Sequence, residues 1–135
     1  MNVITNQDVV FAGLSLDDRI FLAKSNVIRK VAEEGPCVIV GRCADYILRD
    51  LDRVVNVFIS ADLDFRIKRS IHVDHIAPEH AAETVAKKDK SRGNYYRYHT
   101  GDRWDNLFNY ALTIRSDLAG IDKTVECIKQ YVQSM

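Results

Sequence analysis

Two short runs of β-branched residues constrain this chain more than any other feature. Cys37-Val38-Ile39-Val40 and Val54-Val55-Asn56-Val57-Phe58-Ile59 are nearly unbroken apolar stretches of strand length. A strand with one wet face alternates apolar and polar side chains, so continuous runs read as strands covered on both faces. Tyr110-Ala111-Leu112-Thr113-Ile114 is a third run of strand character. Helical patterns lie between them. Ser15 opens a capping-box-like Ser-Leu-Asp-Asp, and Leu16, Ile20, Ala23, Val27 and Val31 then recur at three- and four-residue spacing as the predicted inward stripe. Gly35-Pro36 stops that helix after Glu34. Ala44 to Leu51 reads as a short helix. Ser60 and Asp62 offer caps for another from near Leu63, with Leu63, Ile67 and Ile71 inward, and Pro78 suits the first position of a helix reaching Arg92. Asn94 to Asn109 has no clear period and reads as a loop or short helical turns. Gly120 precedes a last helix with Ile121, Val125, Ile128 and Val132 as its stripe, and Met1 to Leu14 is an irregular lead-in with an apolar patch, Val9-Val10-Phe11. Strands alternating with helices predict an α/β protein on a parallel sheet.

Composition sets the outer bounds. The 135 residues carry 19 basic and 19 acidic side chains, a formal charge of zero, which gives no global pull towards nucleic acid or a membrane surface. The length suits one domain with one core. No apolar stretch approaches a membrane span, and the three scattered cysteines favour a reducing, cytoplasmic setting over a disulfide framework. The neutrality is an average, however. From Arg66 to Arg103 nine basic residues face five acidic ones, so this segment is +4 and the remainder −4.

Four places can carry chemistry. Val38-Ile39-Val40-Gly41-Arg42-Cys43-Ala44-Asp45 puts a glycine and an arginine after a strand, where open α/β sheets bind ligands; a plain tight turn with a surface Arg has the same sequence. The basic stretch around Arg66, Arg69, Asp89 and Arg92 suits an electropositive rim around phosphates, although charge runs are most often solvated helix faces. All four histidines, His72, His75, His80 and His99, fall in one window, but without a His-Glu-x-x-His or paired-cysteine pattern they read as polar connections, and no metal site is expected. Tyr95-Tyr96-Arg97-Tyr98-His99 interleaves aromatic and basic side chains, as a base-stacking surface, a packed loop or an oligomer contact would. Trp104 reads as a packing anchor, and Cys43 lacks a histidine partner that would make it a nucleophile. The six glycines are followed by Leu, Pro, Arg, Asn, Asp and Ile, so the sequence contains neither a Gly-Lys phosphate loop nor a Gly-x-Gly-x-x-Gly.

Taken in order, Glu33-Glu34-Gly35-Pro36-Cys37-Val38-Ile39-Val40-Gly41-Arg42-Cys43-Ala44-Asp45-Tyr46-Ile47-Leu48, then Val57-Phe58-Ile59-Ser60-Ala61-Asp62-Leu63-Asp64-Phe65-Arg66-Ile67-Lys68-Arg69, then Asp89-Lys90-Ser91-Arg92-Gly93-Asn94-Tyr95-Tyr96-Arg97-Tyr98-His99-Thr100-Gly101 resembles the cytidylate kinase-like family of nucleoside-monophosphate kinases. The resemblance runs from about Val27 to Val132. It implies a P-loop kinase-like parallel sheet flanked by helices, ATP and Mg²⁺ as cofactors, and a nucleoside monophosphate or similar small phosphoryl acceptor as partner; the charge balance and the lack of a reading motif or apolar span give no expectation of nucleic acid or membrane as partners. Gly41 and Arg42 match the Gly-Arg of the family's acceptor-binding Gly-Arg-Asp, whose Asp is Cys43 here. Arg66 and Arg69 match the Arg-x-x-Arg of the lid, and Asp89 and Arg92 a later lid element whose first Arg position holds Val85. On this likeness Arg66, Arg69 and Arg92 are the catalytic candidates. Gly41, Arg42, Asp45, Asp89 and Tyr96 are the acceptor-binding ones.

The likeness also implies one domain over residues 1–135, with a core of 15–60 and 105–135 and a lid-like segment 61–104. The family's first strand and phosphate loop have no counterpart in these residues, so the first strand is expected to be missing or replaced. The expectation is a chain shortened at its N-terminus, with the gap closed by rearrangement, by strand exchange in a homo-oligomer, or by Met1 to Phe11.

Overall fold

A computed structural model describes residues 13–135. The apolar patch Val9-Val10-Phe11 and the substitute strand considered for Met1 to Phe11 lie outside them. The chain divides into two compact units, Met1–Asp50 and Leu51–Met135.

In the first unit, helix α1 spans Leu16–Glu34, capped by Ser15, whose Oγ accepts the Asp18 N–H at 3.1 Å. It packs with the single-turn helix α2, Ala44–Ile47. The packed face is not the expected one. Ser25 and Ile28 are buried, whereas Leu16, Ile20, Val27 and Val31 are exposed. The less exposed face of the helix runs through Phe21, Ser25, Ile28 and Ala32. Residues 37–40 correct the strand expectation. They have no assigned secondary structure, and Val38 and Val40 are 93% and 86% exposed. An apolar run supplies extended propensity; a strand also needs a neighbour for its N–H and C=O groups, and these residues have none among those described.

The second unit holds a parallel two-stranded sheet, β1 (Val57–Ser60) beside β2 (Leu112–Arg115), with Val57 opposite Leu112 and Ser60 opposite Arg115. Both strands are shorter than their apolar runs, and Ile59 is exposed, so β1 is not covered on both faces as expected. The connection between them is helical. Asp62 caps α3, Leu63–His72, with its carboxylate accepting the Asp64 N–H at 2.9 Å. Helix α4 starts on Pro78 and runs to Thr100 before Gly101 ends it. Asn94 to Thr100 therefore continues the helix rather than forming a loop. Tyr95 and His99, four apart, bring their rings to 4.6 Å there, a contact that helical spacing creates. Helices α3 and α4 pack together, burying Ser70, Ala81 and Tyr96.

A 3₁₀ turn at Leu107–Asn109 leads into β2, and the short helix α5, Ser116–Ala119, follows directly. The last helix, α6, spans Ile121–Gln133. Its expected inward stripe is largely open: Ile121, Val125 and Val132 are exposed, and Thr124 is its buried residue. Long-range hydrogen bonds close the unit. Ser116 Oγ donates to the Ser60 carbonyl at 3.3 Å, and Asn56 Nδ2 to the Asn109 carbonyl at 3.3 Å.

Candidate functional site

The candidate residues form two groups, one in each unit. The first is the turn Gly41-Arg42-Cys43, whose three residues all have positive φ, at 67°, 62° and 56°. Gly41 takes that conformation freely, but for Arg42 and Cys43 it costs about 1–2 kcal/mol each. Such strain persists only where the surroundings impose it, and it concentrates at binding and catalytic turns. The turn is held by Ala44 N–H donating to the Gly41 carbonyl at 3.2 Å and Ile47 N–H to the Cys43 carbonyl at 2.9 Å. Arg42 borders an open hollow of about 450 Å³ with Ala23, Lys24, Val27 and Ile28. Two cations over an apolar floor suit an anionic group attached to a flatter apolar one.

Cys43 is buried, and its thiol is pushed up to about 11, first by burial and then by the charge of Asp45. It stays protonated at neutral pH, so it is no nucleophile. Asp45 is half-buried on α2. Beside it the Arg49 guanidinium lies 4.0 Å from the Tyr46 ring centroid.

The second group joins α3 to α4. Arg66 Nη1 donates to Asp89 Oδ2 at 2.7 Å, and Arg92 Nη1 donates to Asp89 Oδ1 at 3.1 Å. One carboxylate thus holds two guanidinium groups, leaving the trio with a surplus positive charge. Arg69 is exposed and makes no ion pair among the described residues, so it does not join the trio. Tyr96 is buried on α4, where its carbonyl accepts the Thr100 hydroxyl at 2.7 Å.

Sequence reasoning missed one participant. The Arg92 guanidinium lies 4.9 Å from the centroid of the Trp104 ring, which in turn meets Phe58 of β1 at 5.2 Å. Twelve residues separate Arg92 from Trp104, across a helix end, so no periodicity links them. The one signal was Gly93, a glycine inside a helix. A Cβ there would stand 3.4 Å from the indole Cδ1 and Nε1.

A larger hollow of about 580 Å³ is lined by Asp102, Arg103, Asp105, Asn106, Leu107 and Phe108. Its charges are already spent on one another. Arg103 makes a bidentate pair with Asp105 at 2.9 and 2.8 Å, which holds the Asp105 carboxyl below the usual range. Asp102 is held low by the Asn109 amide at 2.8 Å, the Arg103 N–H at 2.7 Å and Asn106. Among the described residues no three His, Cys, Asp or Glu side chains are placed to hold a metal ion, and no helix is long and apolar enough to cross a membrane.

A parallel strand pair joined by a helical crossover and flanked by helices defines a mixed α/β protein. The family model described as cytidylate kinase-like matches residues 2–118, and the chain belongs to that family. Among solved structures, an uncharacterized protein from Eubacterium ventriosum ATCC 27560 is similar, with a TM-score of 0.82 and 31% sequence identity over 93% of this chain and 70% of that one. No curated protein matches.

Proposed function

We propose that this chain provides the acceptor-binding and lid elements of a nucleotide kinase-like phosphotransferase, with a nucleoside monophosphate as the acceptor class. The observation that carries the reading is the trio Arg66–Asp89–Arg92: two arginines from different helices, fixed by one carboxylate, with Arg92 still 53% exposed. Phosphoryl transfer needs little covalent chemistry from the protein. It needs positioning and cancellation of charge on the transferred group, and planar guanidinium groups do both. In this reading Arg42 seats the acceptor phosphate on the strained turn, Gly41 lets the backbone approach, and Asp45 is a further acceptor-side residue. Arg66 and Arg92 offset charge on the transferred group, Arg69 adds an exposed cation, Asp89 sets the two paired arginines, and Tyr96 is a further acceptor-side residue on α4. Cys43 stands where cytidylate kinases carry an acidic residue, so the base of the acceptor need not be cytosine.

ATP and Mg²⁺ are the cofactors that the family implies, and the described residues do not fit either. No Gly-Lys loop occurs in the sequence, and among the described residues no trio of ligating side chains converges. The roles above are therefore confined to this chain's own arginines and carboxylates. Calorimetry with cytidine monophosphate and with ATP tests the reading. Monophosphate binding that weakens in Arg42→Met, with no ATP-dependent phosphorylation by this chain alone, is the expected pattern. Absence of monophosphate binding would overturn it, and clear turnover would overturn the expected lack of activity.

A second reading, assembly into a homo-oligomer, is favoured by the exposed apolar side chains Val38, Val40 and Ile59. Light scattering at several concentrations tests it, and a monomer throughout excludes it.

A further inference from the structure

The indole of Trp104 touches two parts of the second unit that carry different duties. Towards the sheet it meets Phe58 of β1, with ring centroids 5.2 Å apart, and Phe58 meets Tyr110 at 5.0 Å. The Tyr110 hydroxyl donates to the Trp104 carbonyl, so backbone and ring are both tied to this aromatic group. Towards α4 the indole lies near enough to the chain at Gly93 that a methyl group there would be in van der Waals contact with it, and the Arg92 guanidinium rests 4.9 Å from its ring centroid. Packing alone explains the first set of contacts. It does not explain why a flexible, half-exposed arginine is drawn over the ring.

We propose that Trp104 is a positioning residue for Arg92, stacking its guanidinium so that, with Asp89, it is held on two sides while its remaining donors stay open to a phosphate group. A guanidinium stacked on an aromatic face keeps its in-plane N–H groups free, so stacking and anion binding are compatible. The inference rests on the reading of Arg92 as a phosphate-holding lid residue. Holding Arg92 in place reduces the side-chain freedom that an incoming anion would otherwise have to remove.

The sequence contains a single tryptophan, so intrinsic tryptophan fluorescence reports on the surroundings of Trp104, and the Arg92 variants isolate the part due to this contact. The probe is inorganic pyrophosphate, titrated into the full chain with emission and calorimetry read in parallel. The expected result is a saturable change in Trp104 emission whose midpoint matches the calorimetric one. In Arg92→Lys, which keeps the charge and loses the planar stack, the emission response should vanish. In Trp104→Phe, which keeps a smaller aromatic face, calorimetric affinity should fall by about threefold with the melting temperature little changed. Calorimetric binding with silent emission and an unchanged Trp104→Phe affinity would overturn the positioning role while leaving the phosphate reading intact.

Complete absence of pyrophosphate binding would overturn that phosphate reading and, with it, the positioning role. The ligand-free spectra then decide whether the contact itself exists. Wild type and Arg92→Met should differ in emission, and superimposable spectra would remove the stacked contact altogether.

Discussion

Replacing Asp89 with Asn removes one charge and weakens two contacts at once. The Arg66–Asp89 pair is short, 2.7 Å, and its side chains are 34% and 30% exposed. A charge-assisted contact of that kind, discounted for solvent, contributes about 1 kcal/mol. The Arg92–Asp89 pair is longer, 3.1 Å, with Arg92 53% exposed and only three residues away, and adds about 0.5 kcal/mol. Asp89→Asn should therefore destabilise the second unit by about 1.5 kcal/mol. For a chain of this size that corresponds to a melting temperature lower by about 5 °C. The effect is electrostatic, so it should shrink as salt rises from 0.1 to about 1 M, where the screening length falls from about 10 to about 3 Å. Thermal denaturation at both salt concentrations, with Arg66→Met and the double variant closing a thermodynamic cycle, measures it. Coupling between residues 66 and 89 near zero, or a loss indifferent to salt, would show that the trio is a geometric coincidence and that Asp89 orders neither arginine.

Other outcomes follow from the same geometry. Gly41→Ala meets no atom within 4 Å of the added Cβ, so its cost of about 1 kcal/mol comes from the positive φ alone; urea denaturation should show it, and a neutral result would mean the turn relaxes freely. The raised Cys43 pKa favours the neutral thiol in the folded chain. Its contribution is thus complete below the ordinary thiol value and is lost as pH rises towards about 11; Cys43→Ala should flatten that alkaline loss in melting experiments. Alkylation at pH 8 should label the exposed Cys37 and Cys127 quickly and the buried Cys43 slowly, as read by mass spectrometry. Asp102 behaves oppositely. Its lowered pKa gives stability above the usual carboxylate range that disappears as pH falls through the lowered value, so the gap between wild type and Asn109→Ala should narrow in acid.

Much of the helical framework is legible from local chemistry. Ser15 and Gly35-Pro36 bracket α1 at its observed ends, Asp62 caps α3, and Pro78 opens α4. These signals act within a few residues, so reading them needs no knowledge of neighbours. What escaped depends on distant partners. Cys37 to Val40 has the composition of a strand but, among the described residues, no hydrogen-bonding neighbour that would make it one. The exposed stripes of α1 and α6 show the same limit: periodicity finds an apolar face but not whether anything lies against it. At the candidate site, Arg66, Asp89 and Arg92 were legible as charged residues at helical spacing, and their convergence on one carboxylate required the packing of α3 against α4. The consecutive left-handed Arg42 and Cys43 were invisible, because neither residue type announces positive φ.

The parallel pairing of β1 with β2 also bears on how the second unit comes together in time. Its two strands are only four residues long, yet the Ser116–Ser60 bond that locks them spans 56 positions. Closing a loop of that length costs about 3.5 kcal/mol of chain entropy before the pairing returns anything. Helices α3 and α4, by contrast, are neighbours in sequence and can dock early. The order of assembly is then helical hairpin first and sheet second, so substitutions in β1 or β2 should act mainly on late steps of folding, while those between α3 and α4 act on its start.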